Sequence, residues 1–564
     1  MSGEQKLVIA LDFGTTFSGV AFCFLGQRDT KVSAVMSWPG AEGQSVPKIP
    51  TLINYGGEGL DGQGFTWGAS VSRLDNNIVG VKLLLDPQQE QPKYLPAKNI
   101  HEAVRELPKP AVKIAADFIG AVYKHALGEI AKRVPKRYFD ICEKHFVLSV
   151  PAVWSDKAKN ATLEFTQAAK LAGLDPITLI KAPEAAALYT MRDLDLAVNV
   201  DDVYVVCDAG GGTVDLISYE VVAKEPNLQL REIVPGTGGM AGSLGVNKRF
   251  EEAVKELVGK TIFADLRVHK GYGRAMQMFD RDVKRPFNGD PDEDYYVSFR
   301  MAGLEDNTEA GLEGNDWTMK GHESIPRFAQ IFEPAVADVL ALIDRQGIFL
   351  VGGFGSSRYL ESRVKEKFPL PIEVMQPSDA WAAIVKGAAL SKLPGQATVV
   401  STSATKHYGV EAWSVFDYTI DVGMPSQVGE YDGIKRAQRM TWYIKIGDSI
   451  ERDKRILCQF YRDLPGNYKS ADLQFTSQLY ECSDAWAPVH RREGYKIGPN
   501  CLLHADLRSV PKKYFRKRSS TSIKIHWGTY EVHYDLVVEI KSALMTFSRE
   551  RNGKAMGSVT ASFN

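Results

Sequence analysis

Two stretches of the chain share one pattern of apolar and polar positions. LVIALDFGTTFSGVAF from Leu7 and VYVVCDAGGGTVDLIS from Val203 each run as a short β-prone apolar segment closed by an aspartate, a small turn carrying Gly and Thr, and a second β-prone segment. That pattern reads as strand, tight turn and return strand. Its recurrence predicts two similarly folded lobes facing each other. Between and after the two copies, helix and strand patterns alternate, as an α/β architecture requires. From about Pro110 to Arg133 the apolar positions Val112, Ala115, Ile119, Val122, Ala126 and Ile130 fall at helical spacing and give one buried face. A buried-type strand, FVLSV, ends at Pro151; Ser155 then caps a helix expected to stop at Gly173. Further helices are expected from Pro183, at 247–258, at 325–344 and over about 379–391, with a strand IFLVGG at 348–353.

Beyond Pro394 and Gly395 the period changes. YEVHYDLVVEI, ALMTFSRE and GSVTASF alternate in period two, which indicates a separate antiparallel β domain. The expected organisation is residues 1–395, with lobes of about 1–200 and 201–395, followed by a β-rich domain over 396–564. A chain of 564 residues is too long for one hydrophobic core, in keeping with several units.

Charge narrows the partners. Lys plus Arg number 68 against 69 Asp plus Glu, a net charge of -1, so there is no global field to hold nucleic acid or an anionic membrane. The run PKKYFRKR at 511–518 is read as a solvated loop between β segments. The apolar run before Asp12 is too short for a signal-peptide core, and no apolar stretch reaches membrane length. A cytoplasmic location without membrane or nucleic-acid partners is expected. The 6 cysteines form no CxxC pair; Cys501 and His504 have ligand-like spacing, but without a second tight pair they do not make a zinc site.

The chemistry sits in the two turns. Phosphate groups need close backbone N–H donors, a divalent cation and carboxylates to position it. Gly14, Thr15 and Thr16 in the first turn, with Gly210, Gly211, Gly212 and Thr213 in the second, offer bare backbone, and Asp12 and Asp208 end the two strands. One such turn is usually only a hairpin; two change that reading. GTGGMAG at 236–242 partly matches a dinucleotide fingerprint, and Ser243 in AGSLG mimics a hydrolase nucleophile elbow. The first match is only partial, and the second is better read as a loop serine, since it sits beyond the strand rather than on its sharp exit.

IALDFGTTFSGVAF resembles the first phosphate loop of the seventy-kilodalton heat-shock family, VVCDAGGGTVDLIS its second, and LVGGFGSSRYL its adenosine loop. FVLSVPAVWSDKAKNAT, AGLDPITLIKAPEAAALYT and QPSDAWAAIVKGAAL are similar to further family segments in the same order, over roughly residues 7–392. GVKLLLDP and the degenerate C-terminal half look more like the divergent twelve-type branch. The resemblance implies an actin-like (ribonuclease H-like) two-lobed ATPase fold that binds ATP or ADP with Mg2+, and possibly K+. It implies that Asp12, Asp208 and Glu184 organise magnesium and the attacking water, with Asp215 and Asp379 shaping the cation surroundings, and that Lys82 orients that water. Thr15, Thr16 and Gly210 to Gly212 would hold phosphates, Thr213 and the Gly242 loop would meet the γ-phosphate, and Lys284 with Arg285 would touch ribose and adenine. Gly352 and Gly353 would lie against phosphate and sugar, with Arg358 as a candidate to stack on the base. The family's acidic ribose contact is replaced here by Arg281 or displaced to Asp280.

Three activities fit these residues. One is a slowly hydrolysing, chaperone-like ATPase whose β domain meets a protein client or partner. Another is a nucleotide-dependent interaction protein with little or no hydrolysis, and a weaker third is a small-molecule kinase of the same superfamily. The segment PGQATVVSTSATKHYGV lacks the Leu-rich linker of the housekeeping chaperones, and no residues follow GSVTASF for a helical lid, so clamping of generic extended peptides is not expected.

Overall fold

The computed structural model describes residues 5–26, 30–56, 64–71, 77–86, 105, 107–168, 177–194, 197–239, 241–319, 321–343, 348–429, 433–452, 454–518, 529–541, 543–556 and 558–563. The chain divides into two compact units. The first comprises residues 1–154, 161–230 and 236–398, and the second 155–160, 231–235 and 399–564.

In the first unit each repeated motif is an antiparallel hairpin at the centre of its own sheet. Lys6–Asp12 pairs with Phe17–Leu25, bringing Asp12 opposite Gly19, and lies parallel to Glu143–Val150, bringing Asp12 beside Ser149. Val203–Ala209 pairs with Val214–Ala223, setting Asp208 opposite Asp215, and lies parallel to Ile348–Val351, where Asp208 is level with Val351. Parallel strands buried on both faces read as continuous apolar runs. VIAL of Val8–Leu11 and IFLV of Ile348–Val351 are fully buried. Both lobes thus aim the aspartate that ends the apolar run into a turn, which is the two-lobed α/β architecture expected from the repeat.

Most helices lie where the apolar periodicity puts them: Ala111–Ala131, with Ala115, Ile119, Val122, Ala126 and Ile130 buried, then Ala182–Asp193, Leu244–Val258 and Gly321–Leu342. Ser155 Oγ accepts from the Ala158 N–H at 3.2 Å at the start of Asp156–Ala168; the stop at Gly173 lies outside the described residues. Two differences have local causes. The expected helix over 379–391 is only Ala383–Leu390, because the Asp379 carbonyl accepts the Ala382 N–H and closes a turn first. Gly236, Gly238 and Gly239 of GTGGMAG belong to the strand Gln229–Gly239 itself, and only Gly242 falls between strand and helix, which removes the geometry of a dinucleotide fingerprint.

Two helices cross between the lobes. Ala383–Leu390 packs on Lys6–Asp12, Phe17–Leu25 and Glu143–Val150 of the first lobe, whereas Ala182–Asp193 packs on Val203–Ala209 and Val214–Ala223 of the second. They also meet each other. A Cβ on Gly387 would stand 1.7 Å from the Ala185 carbonyl oxygen, so the two backbones touch and only glycine fits.

The second unit is antiparallel throughout 407–562. One sheet runs in the order Ser426–Val428, Lys435–Ile444, His407–Val415, Gln474–Cys482, Ile497–Asp506 and Ser558–Ser562. The other runs Arg455–Pro465, Thr529–Lys541, Leu544–Arg551 and Lys554–Ala555, with Phe515–Arg518 also on Thr529–Lys541. Their inner faces share a core in which Leu479 and Leu503 meet Leu536 and Val538, as in a β-sandwich. The basic run at 511–518 differs from the expected loop: it forms a helical turn, Lys512–Tyr514, and a short strand, and Phe515 is buried with its ring stacked on Tyr468. Among the described residues no helix is long and apolar enough to cross a membrane.

Substituting Gly387 by valine should force the crossing helices apart at a cost of about 3 kcal/mol, the upper end of overpacking penalties. A melting temperature equal to that of the wild type would show that the helices do not touch.

Candidate functional site

The two turns face one another across a cleft of about 770 Å³ in the first unit, a size ordinary for a small-molecule site. Their backbones are in direct contact with each other's threonines. A Cβ on Gly211 would lie 2.0 Å from Thr16 Oγ1, and one on Gly212 would lie 2.8 Å from Thr15 Cγ2. Gly242 closes on the same place, since its Cβ would strike the Gly211 carbonyl oxygen at 2.1 Å. Gly352 has a φ of +89°, and a side chain there would reach Asp208 Oδ1 at 2.4 Å. Small residues are therefore dictated here by the approach of two backbones to one point.

Three carboxylates and two ammonium groups line that point, all of them buried: Asp12, Asp208, Asp215, Lys48 and Lys82. Asp12 is fully bonded. Lys48 Nζ donates to its Oδ2 at 2.6 Å and Ser149 Oγ to its Oδ1 at 2.6 Å. Burial by itself would raise the Asp12 pKa, but the charges of Lys48 and Lys82 and these two bonds hold it below the usual carboxylate range. Asp215 accepts from the Ala152 N–H at 3.2 Å and from Thr213 Oγ1 at 3.4 Å; its pKa is nonetheless raised, because burial outweighs Lys82 and these bonds. Asp208 is pushed up to about 8 by burial first and then by Asp215 and Asp12, and its Oδ1 has no hydrogen-bond partner. Lys82 is drawn down by burial against the pull of the three aspartates, and its ammonium lies 5.6 Å from the Trp154 ring centroid.

An orphaned carboxylate oxygen beside two other acids is what a hydrated divalent cation would satisfy, and the glycine-lined turns leave room for phosphate oxygens. The donor set therefore fits a nucleotide with its metal. A further group lining the cleft consists of Asp280, Lys284, Arg285, Gly352, Gly353 and Trp381. The Arg285 guanidinium lies 3.6 Å from the Trp381 ring centroid, a stacked cation–π pair, and Lys284 Nζ is held by Asp280 Oδ1 at 2.6 Å and Asn247 Oδ1 at 2.8 Å.

Asp12, Gly14, Thr15, Thr16, Lys82, Asp208, Gly210, Gly211, Thr213, Asp215, Lys284, Arg285, Gly352 and Gly353 all line this one cleft. Five expected residues do not: Gly212 and Gly242, which pack against Thr15 and Gly211, and Arg358, Asp379 and Glu184. Arg358 is exposed at the start of Arg358–Lys367, so the candidate for base stacking passes from it to the Arg285–Trp381 pair. Asp379 is bound to Lys386 Nζ at 2.8 Å and is not among the residues that line the cleft. Glu184 is buried in the first turn of Ala182–Asp193 behind the cleft wall, which is formed there by Ala182. Both alternatives for the ribose contact, Asp280 and Arg281, line the cleft, and Arg281 also pairs with Asp282 at 2.6 Å. Sequence reasoning missed Lys48 and Trp381. Lys48 lies in a short strand with no motif of its own, although its place on Lys48–Pro50, paired to Phe17–Leu25, is what aims it at Asp12.

A family model described as Hsp70 protein matches residues 76–222, and one described only as a domain of unknown function matches 199–315. The chain is 26% identical to human heat shock 70 kDa protein 12B, over 72% of this chain and 71% of that one. It is 24% identical to human heat shock 70 kDa protein 12A, over 68% and 69% respectively. The chaperone protein HscA homolog of Chromobacterium violaceum is 27% identical over 38% of this chain and 32% of its own length.

Two outcomes test the electrostatics. Between the unfolded value of 3.8 and about 8, the folded metal-free chain keeps a proton on Asp208 that the unfolded chain has lost, so this group's stabilisation fades as pH rises through that window. Melting curves of Asp208→Asn and wild type in chelator should therefore diverge with rising pH, the variant becoming the more stable, and parallel pH dependences would refute the assignment. Removing one partner of a buried ion pair costs about 3–5 kcal/mol. Lys48→Ala should show a loss of that order by denaturant titration without Mg2+, and recover part of it when Mg2+ is added.

Proposed function

We propose, from the chain's place as a divergent member of the 70-kDa heat-shock group on its twelve-type branch, that this nucleotide-binding protein takes ATP with Mg2+ between its two lobes and hydrolyses it slowly. The observation that carries the reading is the meeting of the two glycine turns over Asp208, a buried acid with a free oxygen, next to Lys82. Backbone N–H groups of Thr15, Thr16 and Gly211 are the phosphate donors in this reading, whereas that of Gly210 closes the turn on the Thr213 carbonyl at 2.8 Å. Asp12 and Asp208 hold the cation through its water shell, and Asp215 with Thr213 supports them from the second hairpin. When bound, magnesium supplies charge neutralisation along the phosphates. Lys82 adds a desolvated positive charge where negative charge spreads during phosphoryl transfer, and such positioning needs no covalent nucleophile. Arg285 and Trp381 present a flat cationic and aromatic face suited to the base.

A second reading is favoured by one specific contact. Lys48 already neutralises Asp12, and Glu184 stands behind the wall, so fewer carboxylates are free to order a metal and a water. With those groups committed, the protein is a nucleotide-dependent interaction protein that turns over little ATP.

In either case the β unit is the partner-facing part. Trp413, Tyr418, Val422, Val428 and Trp486 of this unit are exposed large apolar side chains, with Trp486 86% exposed. Apolar groups left in water in this way mark interaction surfaces.

Titration calorimetry should show ATP binding that strengthens with Mg2+. Lys82→Ala should reduce turnover at least tenfold while changing affinity little, because its charge acts chiefly in the transition state. Binding without measurable turnover in either protein would select the second reading, and no ATP binding at all would remove both.

A further inference from the structure

Two arginines interrupt the inner face of the β-sandwich. The strand Arg455–Pro465 alternates in period two, and its inward positions read Ile456, Cys458, Phe460, Arg462 and Leu464. Leu544–Arg551 does the same with Met545, Phe547 and Arg549. Each arginine therefore sits where the pattern calls for an apolar residue, a break expected at functional positions. Both strands flank Thr529–Lys541, where Phe460 pairs with Tyr534, Arg462 with Val532, and Arg549 with Leu536. Arg462, Tyr534 and Arg549 thus form a diagonal row across three strands. The row lies between two apolar clusters, one built on Leu536 and Val538, the other on Leu464, Val532 and Phe515.

Arg549 is 3% exposed, and its guanidinium lies 4.5 Å from the ring centroids of both Phe475 and Tyr534. The guanidinium of Arg462 lies 4.0 Å from the same Phe475 ring centroid. Rings cover the faces of the two guanidinium planes and leave the N–H edges unanswered: Nε and Nη1 of Arg549 and Nε of Arg462 have no acceptor. Among the described residues no carboxylate pairs with either group. Glu550, next in sequence to Arg549, points to the outer face, where it binds Arg455. Two cations share one buried neighbourhood, and an uncompensated buried charge is strongly unfavourable. Guanidinium does not escape by losing its proton.

We propose that this row is an oxyanion-binding site inside the β unit, in which the N–H edges of Arg549 and Arg462 grip a small anion of the phosphate type. The ligand class follows from the donors: planar guanidinium forks match tetrahedral or planar oxyanions, and two of them favour a group carrying more than one negative charge. The aromatic rings fix the planes so that little side-chain freedom is lost on binding. The site is separate from the inter-lobe cleft and does not depend on the function proposed for it.

The test uses the full chain with inorganic phosphate as the probe, at ionic strength matched with chloride. Phosphate should raise the melting transition of the wild type, and Arg549→Met should weaken the apparent affinity about tenfold or more, as loss of one charge-assisted fork would. In phosphate-free buffer Arg549→Met should be at least as stable as wild type, because an apolar chain replaces an unpaired charge. Arg462→Met provides the same comparison should Arg549→Met fold poorly. Both variants keep the cleft intact, so phosphate taken up there raises all three proteins equally and cancels in the comparison. Equal phosphate responses in wild type and both variants would overturn the proposal. Equal protection by acetate would overturn the assignment to phosphate-type anions.

Discussion

Everything in the first unit is arranged around charge that has been taken out of water. Asp12, Asp208 and Asp215 meet Lys48 and Lys82 in one small buried volume, and each ion costs several kcal/mol to desolvate unless it is answered locally. The answers come from different parts of the chain. Ser149 and Lys48 serve Asp12, the Ala152 N–H and Thr213 serve Asp215, and Asp208, pushed up to about 8 by burial and then by Asp215 and Asp12, keeps an oxygen with no hydrogen-bond partner. No single strand could supply this set. It requires two hairpins, each fixed by a parallel neighbour, brought face to face until glycine touches threonine.

The sequence carried much of this, for reasons that differ by feature. The hairpins were legible because a continuous apolar run closed by Asp and small residues has few other uses, and duplication made chance improbable. The helices Ala111–Ala131 and Ala182–Asp193 followed from periodicity and from Pro183 at the helix start. Lys48 was invisible because its meaning lies in cross-strand register with Phe17–Leu25, which no local pattern encodes. Arg358 and Asp379 show a related limit, since a motif gives order along the chain but not the surroundings of a side chain: one is exposed and the other is bound by Lys386.

The β unit shows the same limit from the other side. Period-two alternation announced its antiparallel strands, and the inward arginines could be counted in that alternation, yet only the pairing of three strands shows that Arg462 and Arg549 converge on one aromatic ring. A broken pattern is legible as a break; what it is for depends on what the neighbouring strands place opposite it.

The crossing of Ala182–Asp193 and Ala383–Leu390 bears on how the chain acquires its structure during synthesis. The sheet face of the first lobe is covered by a helix encoded some 370 residues after its first strand, so the ribosome must release most of the first unit before that face has its partner. Contacts of such long sequence separation form late, because the loop that joins them must close first. Until then the apolar face of Lys6–Asp12 and Phe17–Leu25 stands open, and the nascent chain carries the kind of exposed surface that general folding assistants bind.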